Sequence, residues 1–290
     1  MNKKVIITTA IGREFESFFY KNAYNSWKRY AQKYDYDIIV FNEALDKRSL
    51  QKGRHLGWEK LNVMTHDRVL AYDYAVWLDT DIWIKDGAPD ICKENPVEYF
   101  GAANPFLYPS YQENQLALKV AETIWKSAGR KYTVHMNAED FYKMQGVETE
   151  MNDLIQSGVI VFSPTKIHDC VRNCYETWAD DPKSLAGEMQ WLSAALLEAF
   201  PCEWIDYKYN ADWIKYQCLN APDLFKEEEL NKTERPKLDK LLYKWQKTKA
   251  LVGLPYHKKN VLKHYINENY FLHFCGDPRD IWFVTNRLDK

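Results

Sequence analysis

The sequence predicts an α/β protein built on a mostly parallel sheet. Short apolar runs rich in β-branched residues alternate with stretches of helical periodicity over the first part of the chain. A strand, helix, strand, helix, strand order implies right-handed crossovers and hence strands running the same way. Further along, another apolar run and another amphipathic stretch continue the alternation.

The elements follow in order. KKVIITTA reads as a first buried strand closed by Gly12, and residues 14–34 as one helix with Phe18, Phe19, Ala23, Trp27 and Tyr30 on a face. YDIIVFNE is the second strand. A charged, Gly-containing loop leads into a helix over residues 58–72, with Leu61, Met64, Val69 and Leu70 apolar. VWLDTDIWI comes next, then LIQSGVIVFSP as a buried strand, GEMQWLSAALLEAF as a helix and YFLHFCG as a last short strand or loop. No internal repeat interrupts the pattern, so residues 1–290 read as one domain.

Composition narrows the function classes. At 46% hydrophobic and 28% charged residues the chain has the balance of a soluble globular protein, and its net charge of −2 gives no global attraction for nucleic acid. The aromatic content, with 20 Tyr and 11 Trp, suits sugar stacking but equally a core. The first residues resemble a leader only briefly, because the apolar stretch ends at Gly12-Arg13-Glu14 without a small-residue cleavage site. Six scattered cysteines lack disulfide-framework spacing, which points to a cytoplasmic setting. Cys170 and Cys174 with His168 have metal-like spacing, although helix-spaced cysteine is more often buried apolar surface.

One segment differs. Residues 235–263 are strongly basic, with Leu238, Leu241, Leu242 and Trp245 at helical spacing beside Lys237, Lys240, Lys244 and Lys247. Within a helical basic insertion over residues 221–262, this pattern fits either an ordinary solvated surface helix or peripheral contact with an anionic inner membrane face.

The chemistry concentrates at Asp79 and Asp81. Asp-x-Asp occurs twice, but Asp35 and Asp37 lie at the N-terminal edge of the strand DIIVF, whereas Asp79 and Asp81 follow YAVWL at its C-terminal edge. Open α/β sheets bind ligands beyond the carboxyl ends of their strands. In an extended chain, residues two apart point to the same side, so both carboxylates would converge there. Buried charge needs compensation, and a divalent cation supplies it while leaving positions for a ligand's phosphates.

An apolar strand followed by Asp79-Thr80-Asp81 resembles the metal motif of GT-A fold glycosyltransferases, in particular the family 8-like group of glycogenin and the lipooligosaccharide galactosyltransferases. LIQSGVIVF, GEMQWLSAAL and HFCGDPRDIW are similar, in the same order, to that family's Asn-Ser/Ala-Gly-Val strand, its Asp-Gln-Asp-x-Leu-Asn helix start and its His-x-x-Gly-x-x-Lys motif. Gln156 stands for the usual Asn, Glu188 for the first Asp, Met189 and Gln190 for the Gln-Asp pair, and Arg279 for the Lys. The helix preceding the metal motif looks like the Lys-containing helix of related xylosyl- and galactosyltransferases.

The resemblance implies a GT-A fold, with a Rossmann-like mixed sheet flanked by helices. It also implies metal-dependent transfer of a hexose or pentose from a nucleotide-diphosphate sugar, with uridine as the base, to a glycan or glycolipid hydroxyl, with retention. His273 would join Asp79 and Asp81 on the metal, and such a mixed set suits Mn²⁺ at least as well as Mg²⁺. Thr8, Thr9 and Ala10 would lie at the base and ribose. Arg13, Lys60 and Arg279, the last just beyond Gly276, could meet the diphosphate. Gln156 and Ser157 would line the donor cleft, Glu188 could take sugar hydroxyls, Gln190 could face the anomeric carbon through its amide oxygen, and Asp153 could contact the acceptor. A neutral Gln cannot act as a general base, so front-face attack is favoured over a covalent intermediate.

Two other classes fit parts of the pattern. A GT-A protein that binds nucleotide-sugar with weak turnover would account for Met189 and Gln190. A haloacid dehalogenase-type phosphohydrolase also ends a strand in Asp-x-Asp, but normally on its first strand, whereas two strands precede this one.

Overall fold

The computed structural model describes residues 2–47, 54–130, 134–177, 187–233, 256–275 and 279–288. Among the described residues nine strands form two sheets. The strands are β1 (Lys4–Thr9), β2 (Tyr36–Phe41), β3 (Tyr74–Leu78), β4 (Ile82–Ile84), β5 (Phe100–Ala102), β6 (Val159–Phe162), β7 (Cys202–Trp204), β8 (Ala211–Asp212) and β9 (Phe271–His273). The main sheet has the order β2-β1-β3-β6-β5-β7. β1 pairs in parallel with β2 and β3, β6 is antiparallel to both β3 and β5, and β7 is parallel to β5, so β6 alone runs against the rest. The small sheet β4-β9-β8 stands beside it.

A sheet covered on both faces needs strands that are apolar on both, and KVIITT supplies this. Ile6, Val76 and Leu78 face one core with Phe19 and Trp27, while Val5, Ile7 and Trp77 face the other with Leu61 and Leu192. Among the described residues no helix is long and apolar enough to cross a membrane. The basic pattern at residues 238–247 lies outside the described residues; the flanking helices Pro222–Thr233 and Tyr256–Glu268 lie within them.

Three elements depart from the periodicity. The helix predicted over residues 14–34 is two helices, Arg13–Asn22 and Tyr24–Tyr34, meeting at Ala23. The Ser26 hydroxyl donates to the Ala23 carbonyl at 2.7 Å and accepts the Ile84 N–H at 3.1 Å, tying the junction to β4. The helix predicted over residues 58–72 divides into Glu59–Met64 and Asp67–Leu70, because the His66 ring caps the second piece by accepting the Arg68 N–H. The strand predicted from residue 154 begins only at Val159, since the Gln156 N–H has left the ladder for the Ala103 carbonyl at 2.8 Å.

Candidate metal and donor site

β3 ends at Leu78, and the next three residues form a turn rather than extended chain. The Ile82 N–H donates to the Asp79 carbonyl at 3.1 Å, and the Asp79 N–H to the Gly158 carbonyl at 2.9 Å. The convergence of the two aspartates therefore comes from this turn and not from strand alternation, which corrects the sequence-based geometry. β4 then leaves for the small sheet, where Ile82 pairs with His273 across the antiparallel β9. The Phe274 N–H donates to the Asp81 carbonyl at 3.0 Å, locking the imidazole beside the turn.

The oxygens and the ring nitrogen meet. His273 Nε2 lies 3.4 Å from Asp81 Oδ1 and 3.9 Å from Asp79 Oδ2. One donor atom from each of Asp79, Asp81 and His273 falls within 4.8 Å of the others, the only such His, Cys, Asp and Glu cluster among the described residues. His273 is buried and its Nδ1 is 2.8 Å from Asn210 Oδ1, while Asn210 Nδ2 donates to the Gln156 carbonyl at 3.0 Å. The amide thus presents its oxygen to the ring and Nδ1 carries a proton, which leaves Nε2 facing the aspartates; its lone pair becomes available to a cation once the second proton leaves. Gly158 makes room for this, because a Cβ at that position would overlap the ring.

The surrounding charges are unequal. Lys60 Nζ lies 2.6 Å from Glu188 Oε1 and 3.4 Å from Asp79 Oδ1, and it donates to the Ser157 carbonyl and hydroxyl at 3.0 Å each. Burial opposes charge on Lys60, but Asp79 and then Glu188 outweigh it and hold the ammonium protonated. Burial likewise opposes charge on His273, yet Asp81 carries its pKa up to about 9. The reciprocal pull of His273 keeps Asp81 below the usual carboxylate range despite burial. Three carboxylates, Asp79, Asp81 and Glu188, thus face one ammonium and one imidazole. An O, O, N donor set with excess negative charge fits a divalent cation.

The other predicted residues divide. Ser157 and Glu188 sit against Lys60, and Gln156 is joined to His273 through Asn210. Lys60 is 4% exposed and meets protein acceptors on Ser157, Glu188 and Asp79. Gln190 is fully buried, its amide donating to the Gly187 carbonyl at 2.9 Å. Thr8 is buried at the carboxyl end of β1, with its hydroxyl unpaired among the described residues; Thr9 is half-buried and Ala10 buried. Arg13 is exposed where its helix opens. Asp153 is exposed and accepts from Asn104 Nδ2 at 2.8 Å. Gly276 lies outside the described residues, and Arg279 opens the helix Arg279–Phe283.

Cys170 and Cys174 lie on the helix Pro164–Thr177 away from any such cluster, with burial pushing their thiols up to about 11 and about 12. Two participants escaped the sequence. Trp77, whose Nε1 donates to Asp79 Oδ1 at 2.8 Å, lies two residues before it near the end of β3 and reads in the sequence as a core aromatic. Asn210 carried no signal at all.

Known proteins give a likeness of shape. The chain aligns with a glycosyltransferase involved in the glycosylation of the major capsid of PBCV-1 at a TM-score of 0.52 and 8% identity, covering 98% of each chain. The two share a fold. The apo form of WbbM, a bifunctional glycosyltransferase, aligns at a TM-score of 0.47 and 12% identity over 95% of this chain and 46% of that one. No protein-family model and no curated protein matches the sequence.

Proposed function

We propose that this protein is a metal-dependent glycosyltransferase of the GT-A type. It moves a hexose or pentose from a UDP-sugar to a hydroxyl of a glycan or glycolipid, with retention. The observation that carries this reading is the meeting of Asp79, Asp81 and His273 beyond the carboxyl end of β3. The PBCV-1 capsid glycosyltransferase, sharing the fold over nearly the whole chain, supports it.

Asp79, Asp81 and His273 would hold Mn²⁺ or Mg²⁺, which as a Lewis acid offsets the charge developing on a diphosphate leaving group. The unpaired Thr8 hydroxyl, with Thr9 and Ala10, ends β1 at the same edge, where the nucleoside would lie. Arg13 and Arg279 are the cations proposed for the diphosphate. Glu188, anchored by Lys60, sets the polarity of the sugar side, and Gln190 acts through the Gly187 turn that carries Glu188. Asp153, oriented by Asn104, receives the acceptor. The bond from the anomeric carbon to the phosphate oxygen breaks as the acceptor oxygen attacks the same face, and the acceptor's proton passes to the departing phosphate.

A thermal-shift screen of nucleotide-sugars with and without Mn²⁺ tests the reading. Stabilisation that needs both components, followed by nucleotide release on adding an acceptor, is the expected result; a ligand at a hundred times its Kd raises stability by about 2.7 kcal/mol. Stabilisation without release over a broad acceptor panel would make the protein a nucleotide-sugar binder. No response to any nucleotide-sugar would overturn the proposal.

A further inference from the structure

We infer that Trp77 and Lys60 are positioning residues that commit one oxygen of Asp79 to the protein and leave the other for a cation. The inference rests on the metal site proposed above and assigns a role to side chains that touch neither donor nor acceptor.

Asp79 has two oxygens in unlike surroundings. Oδ1 accepts the Trp77 indole N–H at 2.8 Å and faces the Lys60 ammonium at 3.4 Å. Oδ2 is the oxygen on the His273 side, 3.9 Å from Nε2. A carboxylate held this way offers one lone-pair direction to an ion and does not rotate to chelate with both. The strand and a helix enforce the arrangement together. Trp77 near the end of β3 packs in the core covered by the helix Glu59–Met64, and Lys60 on that helix lies over the indole, 5.2 Å from its centroid.

Lys60 has no donor to spare. Its three N–H groups face four protein acceptors: Ser157 O, Ser157 Oγ, Glu188 Oε1 and Asp79 Oδ1. A phosphate reaching Lys60 would have to displace a buried carboxylate. Lys60 therefore serves as a bridge between the metal turn and the Gly187–Glu188 turn, carrying the order of one carboxylate to the other.

The test measures Mn²⁺ binding to the full chain by calorimetry, without nucleotide and without activity. Trp77→Phe keeps the ring and removes one N–H. Partners in the outer shell of a metal site typically contribute 10–100-fold in affinity, and a loss of about that size is expected while folding is preserved. Wild-type Mn²⁺ affinity in Trp77→Phe, with lowered thermal stability alone, would overturn the inference, as would a wild-type chain that takes no Mn²⁺. The second variant, Lys60→Met with Glu188→Leu, removes the buried pair together, and Asp79, its side chain 33% exposed, keeps the Trp77 N–H and access to water. Weakened Mn²⁺ binding with unchanged UDP affinity at saturating Mn²⁺ is expected for a positioning lysine. Loss of UDP affinity at saturating Mn²⁺ would make Lys60 a phosphate ligand and overturn the assignment. If wild-type protein binds Mn²⁺ but no UDP, the glycosyltransferase reading fails, while Trp77→Phe still decides the role of Asp79 Oδ1.

Discussion

The two ends of the same parallel strands both carry buried charge and use it differently. At the amino edge, Asp90 is complete. One oxygen pairs with Lys4 Nζ at 2.8 Å, and the other accepts the Tyr36 hydroxyl and the Cys92 N–H. One acid meets one base, and Tyr30 closes the neighbouring backbone by accepting the Ile91 N–H and donating to the Pro89 carbonyl. At the carboxyl edge Asp79 and Glu188 share the Lys60 ammonium, while Asp79 Oδ2 and Asp81 Oδ1 face the His273 imidazole, so three carboxylates meet one ammonium and one imidazole. Neutral closure stabilises a fold; an uncompensated excess prepares a place for a cation.

The sharpest break of this comparison is removal of one acid at each edge. Asp81→Ala should cost at least about 100-fold in Mn²⁺ affinity, more than loss of an outer-shell partner. Asp90→Ala should leave Mn²⁺ binding intact while lowering stability. Calorimetric titration of both variants checks it, and equal metal affinities would erase the distinction between the edges.

Removing the lysines comes next. Lys60 and Glu188 have side chains 5% and 7% exposed, against 17% and 10% for Lys4 and Asp90. Lys60→Met strands buried carboxylates and should destabilise the metal-free protein by about 3–5 kcal/mol. Lys4→Met leaves Asp90 its phenol and backbone donors, so a smaller cost of about 1.5–3 kcal/mol is expected. Denaturant titration of the two variants ranks them, and the reverse order would contradict the burial argument.

Proton linkage gives the third contrast. Folding lifts His273 from its ordinary 6.5 to about 9, so the folded metal-free chain holds a proton that the unfolded chain releases between those values. The stabilisation from this pair is complete below pH 6.5 and is lost as pH rises through about 9. Thermal melts without metal should decline across that window, and His273→Gln should flatten the decline. Mn²⁺ must displace the same proton, so the stabilisation it brings should grow with pH over the same range.

Much of the carboxyl edge was legible in the chain. Apolar runs mark where strands lie, and the position of Asp79 after YAVWL, against Asp35 and Asp37 before DIIVF, singles out the end where Asp79, Asp81 and His273 cluster; Asp37 accepts the Tyr72 hydroxyl at 2.8 Å. The breaks at Ala23 and at Thr65–His66 were hidden, because one helical period runs through them and the interruption comes from side-chain hydrogen bonds that periodicity does not encode. The helix that carries Lys60 is readable, but its contact with Ser157 spans 97 residues and has no local pattern. Asn210 was missed for the same reason: its contact with His273 spans 63 residues and has no local pattern.

The smallest expected effect sets one hydroxyl against another. Tyr36→Phe removes one donor from Asp90, which keeps Lys4 and the Cys92 N–H, so a loss near 1 kcal/mol is expected. Ser157→Ala removes one of four acceptors from Lys60, which keeps the Ser157 carbonyl, Glu188 and Asp79, and a similar loss should follow. The two variants would then be nearly equal in denaturant but unequal toward metal. Without the Ser157 hydroxyl, Lys60 can settle closer to Glu188 or Asp79 and disturb the oxygen assignment at the turn, so a change in Mn²⁺ affinity of less than about 10-fold is expected there. Tyr36→Phe, at the closed edge, should leave that affinity where it was. A matching change in both variants would mean that metal affinity tracks global stability rather than local order around Asp79.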